Sequence, residues 1–191
     1  KYPNGKKGLI KADGKVILPV EFDDIKMLNG RLIAKKEFAG PYALFDMAGN
    51  KITDFKWYFS DLFADFSDGL IAVRELVNGK LGKAGVIDLN GVLKIPYRYD
   101  IIGNFKEGLA QVAINNKYGA IDKNGKVVIP LVYDYLNGFS EGWSGVTKNG
   151  KSGFINKAGI LMELSKNSTP TVTSAVKAAE PIASGKLQFK N

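Results

Sequence analysis

The chain has 191 residues, 45% hydrophobic and 11% aromatic, enough apolar material to bury a core rather than stay disordered. It contains neither cysteine nor histidine, which excludes disulfides, thiolate metal sites and thiol nucleophiles and removes the commonest general base at neutral pH. The formal charge is +8, but the lysines are scattered, many in hairpin tips, either beside a Gly (Lys6, Lys15, Lys80, Lys126, Lys151) or two residues before one (Lys117). With no basic run or RNA-binding aromatic motif beside them, no nucleic-acid partner is expected, and no run of about 18 apolar residues offers a transmembrane segment.

In chain order, a repeated unit governs the sequence. Gly8, Ile10, Gly14, Pro19, Phe22 and Asp23 open a first copy. Ala43, Phe45, Asp46 and Gly49 open a second, in which Asp54 stands where Pro belongs. The third copy runs Gly85, Ile87, Asp88, Gly91, Ile95, Pro96, Tyr99, Asp100, and the fourth repeats it 34 residues later as Gly119, Ile121, Asp122, Gly125, Pro130, Tyr133, Asp134. A fifth, Gly153–Leu164, is expected to stop after its second strand, leaving four copies and a fragment over residues 1–164.

Within a copy, residues 109–114, 118–122 and 126–130 are short, β-branched and separated by turn residues, predicting a three-strand meander. Asn-Gly at 4–5, 78–79, 90–91, 124–125 and 149–150 predicts type I′ hairpin turns. Pro19, Pro96 and Pro130 are expected to close the third strand, and Phe66, Phe105 and Phe139 to be buried between neighbouring copies. One such sheet cannot cover its own apolar face. The expected fold is therefore all-β: three-stranded meanders of about 34 residues stacked as an open solenoid-like array, with a closed propeller-like ring as the alternative. Residues 165–191, rich in Ser, Thr, Ala and Pro, read as a tail or linker, with Lys186–Lys190 a candidate docking strand.

The pattern Gly-x-Ile-Asp-x-x-Gly-x-x-x-x-Pro-x-x-Tyr-Asp, followed by Phe-x-Glu-Gly-Leu-Ala-x-Val, resembles the WG-repeat (KWG) family over roughly residues 5–164. One departure stands out: the Trp that precedes the Gly in that family is Lys7, Tyr42, Ala84, Tyr118 and Ser152 here, while Trp143 takes the place of an expected Leu. The resemblance implies a bacterial β-repeat array, often envelope-associated or secreted, with a binding or scaffolding role and no catalytic residues to carry over.

The repeated acids Asp23, Asp100, Asp134, Asp46, Asp88 and Asp122 are expected to cap turns, because an active site needs its acids once, in one place. Asp88 and Asp122 lack the later bidentate Glu of a calcium loop, and Glu107 and Glu141 are repeat equivalents rather than a glycosidase pair. No catalytic, metal or cofactor site is expected. Departures from the period are more informative. The stretch from Asp54 to Phe66 is three residues longer than Pro96 to Phe105, and Val73 to Gly85 is five longer than Val112 to Gly119. Candidate binding residues are therefore Trp57, Tyr58, Phe59, Arg74 and Trp143, suited to anchoring a partner protein or to stacking on a glycan or peptidoglycan sugar. The expectation is a non-enzymatic protein-binding or scaffold module outside the bacterial cytoplasm; the alternative is a carbohydrate- or cell-wall-binding module.

Overall fold

The structure, a computed structural model, describes residues 5–59, 68–163 and 171–173. Among these every regular element is a β-strand, and the chain divides into two compact units, Lys1–Asn104 and Phe105–Asn191.

In the first unit, β1 (Lys7–Ile10) pairs with β2 (Val16–Phe22). Strands β3 (Asp24–Leu28), β4 (Arg31–Lys35) and β5 (Tyr42–Phe45) form a second sheet; β6 (Tyr58–Phe59), β7 (Leu70–Val77), β8 (Lys80–Asp88) and β9 (Leu93–Tyr99) form a third, and β10 (Ile101–Ile102) follows. In the second unit β11 (Leu109–Ile114), β12 (Lys117–Asp122) and β13 (Val127–Tyr133) pair in sequence. After them β14 (Tyr135–Leu136), β15 (Trp143–Lys148), β16 (Lys151–Asn156), β17 (Leu161–Glu163) and β18 (Thr171–Thr173) make a five-stranded sheet. Every pairing described is antiparallel, and no sheet closes into a barrel among the described residues.

Each sheet is one copy of the repeat, with two differences from the expected meander. A short leading strand precedes it (β6 before β7, β14 before β15), because the chain pairs again as soon as it has crossed from one copy to the next. The fifth copy, expected to end after two strands, has a third in β17, and β18 adds to it at Leu161↔Thr173 and Glu163↔Thr171. Lys186–Lys190 lies outside the described residues.

Proline does not close the third strand as expected. Opposite Ala120 and Tyr118, two residues apart, stand Ile129 and Tyr133, four apart. The same offset recurs at Val86↔Ile95 with Ala84↔Tyr99, and at Leu9↔Leu18 with Lys7↔Phe22. Pro130, Pro96 and Pro19 each sit in the resulting bulge, where an amide donor is not needed and its loss is harmless. The bulge also explains the repeat glycine: a Cβ on Gly119 would lie 2.4 Å from the Ile129 carbonyl oxygen and 2.9 Å from Leu131 N.

The turn acids behave as expected. Asp122 Oδ1 accepts from the amides of Asn124 and Lys126, both at 2.9 Å, and Asp88 does the same for Asn90 and Val92. At 90–91 and 124–125 only the glycines are left-handed (φ 76° and 80°), so these are Asp-capped turns rather than the expected type I′. Asn78-Gly79 and Asn149-Gly150 do have both residues left-handed, as I′ requires; Asn4 lies outside the described residues. Asn156 occupies the acid's place in the fifth copy and makes the same bonds, to Ala158 N and Ile160 N. Asp122→Asn is therefore expected to leave stability nearly unchanged, while Asp122→Ala loses about 1 kcal/mol. Urea denaturation of the two variants checks the contrast.

The core lies between successive sheets. In the first unit, Leu32 and Ala34 of β4 pack with Leu18, Phe22 and Phe45, whereas Ile33, on the opposite face, packs with Leu44, Trp57, Ile71 and Ile87. A sheet buried on both faces reads as a continuous apolar run, as Leu-Ile-Ala does. In the second unit Phe139 joins Leu109, Ile129, Tyr133, Val146 and Ile155 between the two sheets. Phe105 and Phe139 are both buried, as expected; Phe66 lies outside the described residues.

Candidate partner-binding surface

Trp57 is the repeat's own core aromatic. Its pairing with Tyr42 reproduces Tyr99 opposite Ala84 and Tyr133 opposite Tyr118, and it stands three residues after Asp54 as Tyr133 does after Pro130. The side chain is 3% exposed, and its indole Nε1 donates to Tyr97 Oη at 3.1 Å. The ring is thus committed to the interior, and the candidate role of stacking on a ligand does not fit it. Counting from Asp54 would have placed it there.

Tyr58 and Phe59 are half-buried in β6 opposite Arg74 and Val73, and the Phe59 ring lies 4.6 Å from that of Tyr42. Register puts Tyr58 level with Tyr135, so the repeat's Asp is missing after Trp57 and the extra residues fall in 60–67, outside the described residues. Arg74 is also structural: its guanidinium donates to the Gly82 carbonyl at 2.7 Å and to the Asp100 carbonyl. Tyr97 Oη donates to Glu75 Oε1 at 2.9 Å, and burial, reinforced by Glu75, pushes its phenol up to about 12.

These bonds fasten the base of an extended hairpin. The five extra residues between Val73 and Gly85 lengthen β7 and β8 past the repeat's usual turn, to a tip at Asn78-Gly79. Leu76 pairs with Leu81 and Val77 with Lys80. Their exposures are 49% for Leu76, 60% for Val77 and 56% for Leu81, an unusual density of apolar surface on a short arm. Sequence reasoning selected Arg74 from this segment and passed over these three. Placing the turn at Asn-Gly would have shown that Leu76, Val77 and Leu81 lie beyond the sheet's core.

Trp143 remains at the surface, 36% exposed, at the start of β15. Its repeat equivalents Leu70 and Leu109 are buried, so a bulkier ring has replaced a core residue and been displaced outward.

The acids that sequence reasoning assigned to structure form ties. Lys6 pairs with Asp23 at 2.9 Å, Lys83 with Asp100, and Lys117 with Asp134 at 2.6 Å, the same lysine–aspartate pair in three copies. Asp134 also accepts from Asn149 N at 2.6 Å. Glu107, left-handed in its turn (φ 53°), accepts from Gly142 N at 3.0 Å and pairs with Lys157 at 2.8 Å. The Lys117 and Lys157 ammonium groups hold the carboxyls of Asp134 and Glu107 below the usual range, helped by those amides. A depressed folded-state pKa contributes stability that is present above the unfolded value, about 4, and is lost as the pH falls through the folded value. The stability gap between the wild type and Asp134→Asn should therefore be open at pH 6 and close below about pH 4, as acid-unfolding curves of the two proteins will show.

Among the described residues no group of three acidic side chains converges on a point where a metal could sit. A comparison with protein families matches residues 8–37, 85–118 and 118–151 to the WG containing repeat. A search of curated proteins finds no match. The three matched segments are the copies that carry the proline bulge, and together they span just over half of the chain: the protein belongs to the WG-containing repeat family.

Proposed function

We propose that this protein is a non-enzymatic protein-binding or scaffold module in which the repeats supply a rigid support and the β7–β8 arm supplies the contact. The observation that carries this reading is the exposed trio Leu76, Val77 and Leu81 on an arm whose extra length the stacked sheets do not use. Arg74 and Glu75 brace its base, so the arm is presented with little entropy left to lose on binding. Lys80 at the tip adds a cation beside the apolar side chains, which suits an apolar cleft with an acidic rim. The same reading places the module at the bacterial cell envelope or exterior; recovery of the native protein solely from the cytoplasmic fraction would contradict that location.

The test is capture of a partner from the envelope fraction by the intact protein and by Leu76→Ser/Leu81→Ser. Both side chains are at the surface, so the variant is expected to fold as the wild type does and to lose at least about tenfold in affinity, as interface anchors do. Equal capture by the variant would remove the arm from the interface.

Trp143 favours a second reading, a carbohydrate- or cell-wall-binding module. Because the other tryptophan, Trp57, is buried, a sugar stacking on Trp143 should shift the exposed component of the tryptophan emission. Unchanged emission in saturating peptidoglycan fragments would exclude it.

A further inference from the structure

Two neighbouring copies depart from the repeat at the same end. Four residues join the paired positions Ala113 and Tyr118, and four join Thr147 and Ser152, but six lie between their counterparts Lys35 and Tyr42 and nine between Arg74 and Ala84. The loop of residues 36–41 and the β7–β8 arm thus both reach beyond the stacked sheets. They leave from one edge, because residues 56–58 join their bases: Tyr42 bridges to Trp57, Tyr58 pairs with Arg74, and Lys56 reaches Glu75 at 3.7 Å. Both hairpins, 31–45 and 70–88, lie wholly within the described residues.

Strand alternation fixes which faces confront each other. Ile33 and Val73 meet in the core between the two sheets. Two residues outward on those faces stand Lys35 and Glu75, and two further along the arm stands Val77, paired with Lys80. The Tyr42 ring packs on Phe59 at 4.6 Å, and the Lys35 ammonium lies 5.2 Å from the Tyr42 ring and 5.4 Å from that of Phe38. Past the Lys56–Glu75 pair, the space between sheets stacked about 10 Å apart therefore continues outward as a gap with Phe38 on one side and Val77 on the other. Phe38 is 87% exposed and Val77 60%, so neither side chain is packed into the fold.

We propose that this gap receives an apolar side chain of a partner protein, held between Phe38 and Val77, from a segment whose flanking aspartates or glutamates pair with Lys35 and Lys80. Neither lysine forms an ion pair among the described residues. The loop contributes one carboxylate, Glu37, and the arm's own, Glu75, is taken by Lys56 and Tyr97, so the gap keeps a surplus of positive charge. A second copy of the chain would set lysine against lysine. A bilayer would meet the polar Asn78-Gly79 tip of the arm before the valine behind it, whereas an acidic protein segment entering from the side suits both the charge and the shape. This rests on the protein-binding reading above, and it names the partner's chemistry and a second wall for the contact.

The test places the photo-crosslinker p-benzoylphenylalanine at position 38 or at position 77 of the full protein, irradiates each in the envelope fraction and sequences the labelled peptides. Both positions should label one segment of one protein, with Asp or Glu beside the labelled residue. Lys80 is exposed, so Lys80→Glu should fold as the wild type does and cut labelling from position 38 by about tenfold or more, while Lys80→Arg preserves it. Different proteins at the two positions, a labelled segment without carboxylates, or full labelling in Lys80→Glu would each overturn the proposal, as would adducts with lipid only or with a second copy of the chain only. Should position 77 label a partner that position 38 never reaches, or neither label one while Leu76→Ser/Leu81→Ser still abolishes capture, the gap falls and the arm stands. If both label one acidic segment that Leu76→Ser/Leu81→Ser captures as well as the wild type does, the gap stands and the exposed leucines lose their role. No label from either position, with capture untouched by Leu76→Ser/Leu81→Ser, removes both.

Discussion

Replacing Trp57 with Ala is expected to destabilise the first unit by about 3–5 kcal/mol, the range for truncating a buried aromatic. The indole lies among Ile33, Leu44, Ile71, Val73 and Ile87, side chains held by two sheets whose backbones cannot collapse far into the space left. Tyr97 also loses the donor to its hydroxyl. Trp57→Phe should cost roughly 1–2 kcal/mol, because a smaller aromatic fills most of the volume and only the indole hydrogen bond is lost outright. That tolerance follows from the repeat, in which Phe22, Tyr99 and Tyr133 hold the same register. Urea denaturation with an unchanged slope measures the difference. If Trp57→Ala retained wild-type stability but lost partner binding, the ring would belong to a ligand site rather than to the core.

The second large effect is Gly119→Ala. Its added Cβ would meet the Ile129 carbonyl oxygen at 2.4 Å, with Leu131 N and the Pro130 carbonyl carbon each at 2.9 Å. All three are backbone atoms, so relief requires moving the bulged strand and, with it, the placement of Tyr133 in the core. A loss of roughly 3 kcal/mol is expected, the upper part of the range for overpacking. Gly145→Ala is the control: the nearest atom to its Cβ is the side-chain amide of Asn137 at 3.1 Å, which can turn aside, so its effect should stay within about 0.5 kcal/mol. Comparable losses at both positions would mean that glycine is required here for some reason other than the bulge.

The contrast between these glycines shows what could be read in the sequence and what could not. The 34-residue spacing, the turn aspartates and the buried Phe105 and Phe139 are legible because each rests on chemistry local to a few residues. The proline bulge is not, because a missing amide donor is equally compatible with the end of a strand and with a bulge inside one; pairing on the far side, Tyr118 with Tyr133, decides between them. Asn-Gly was over-read in the same way. At 124–125 the side chain of Asp122 takes the turn amides and leaves Asn124 outside the left-handed region, whereas at 149–150 no such acid precedes the turn.

For the candidate site, the lengthened segments at 54–66 and 73–85 are visible as departures from the period, but residue type alone does not rank the residues within them. Arginine and tryptophan head any list of interface anchors, and both proved to be tied into the fold, Arg74 by carbonyls and Trp57 by the core. The exposed leucines and valine of the arm are ordinary residue types made conspicuous by position.

Amide hydrogen exchange, compared for the free protein and for the protein bound to whatever envelope partner it captures, separates support from contact. Added protection is expected to be greatest in the arm, at residues 75–82, with the buried strands β4 and β12 unchanged because they are already protected in the free protein. Protection spread over the outer faces of the repeats, with 75–82 exchanging as freely in the complex as without a partner, would contradict the assignment of function to the place where the repeat is interrupted.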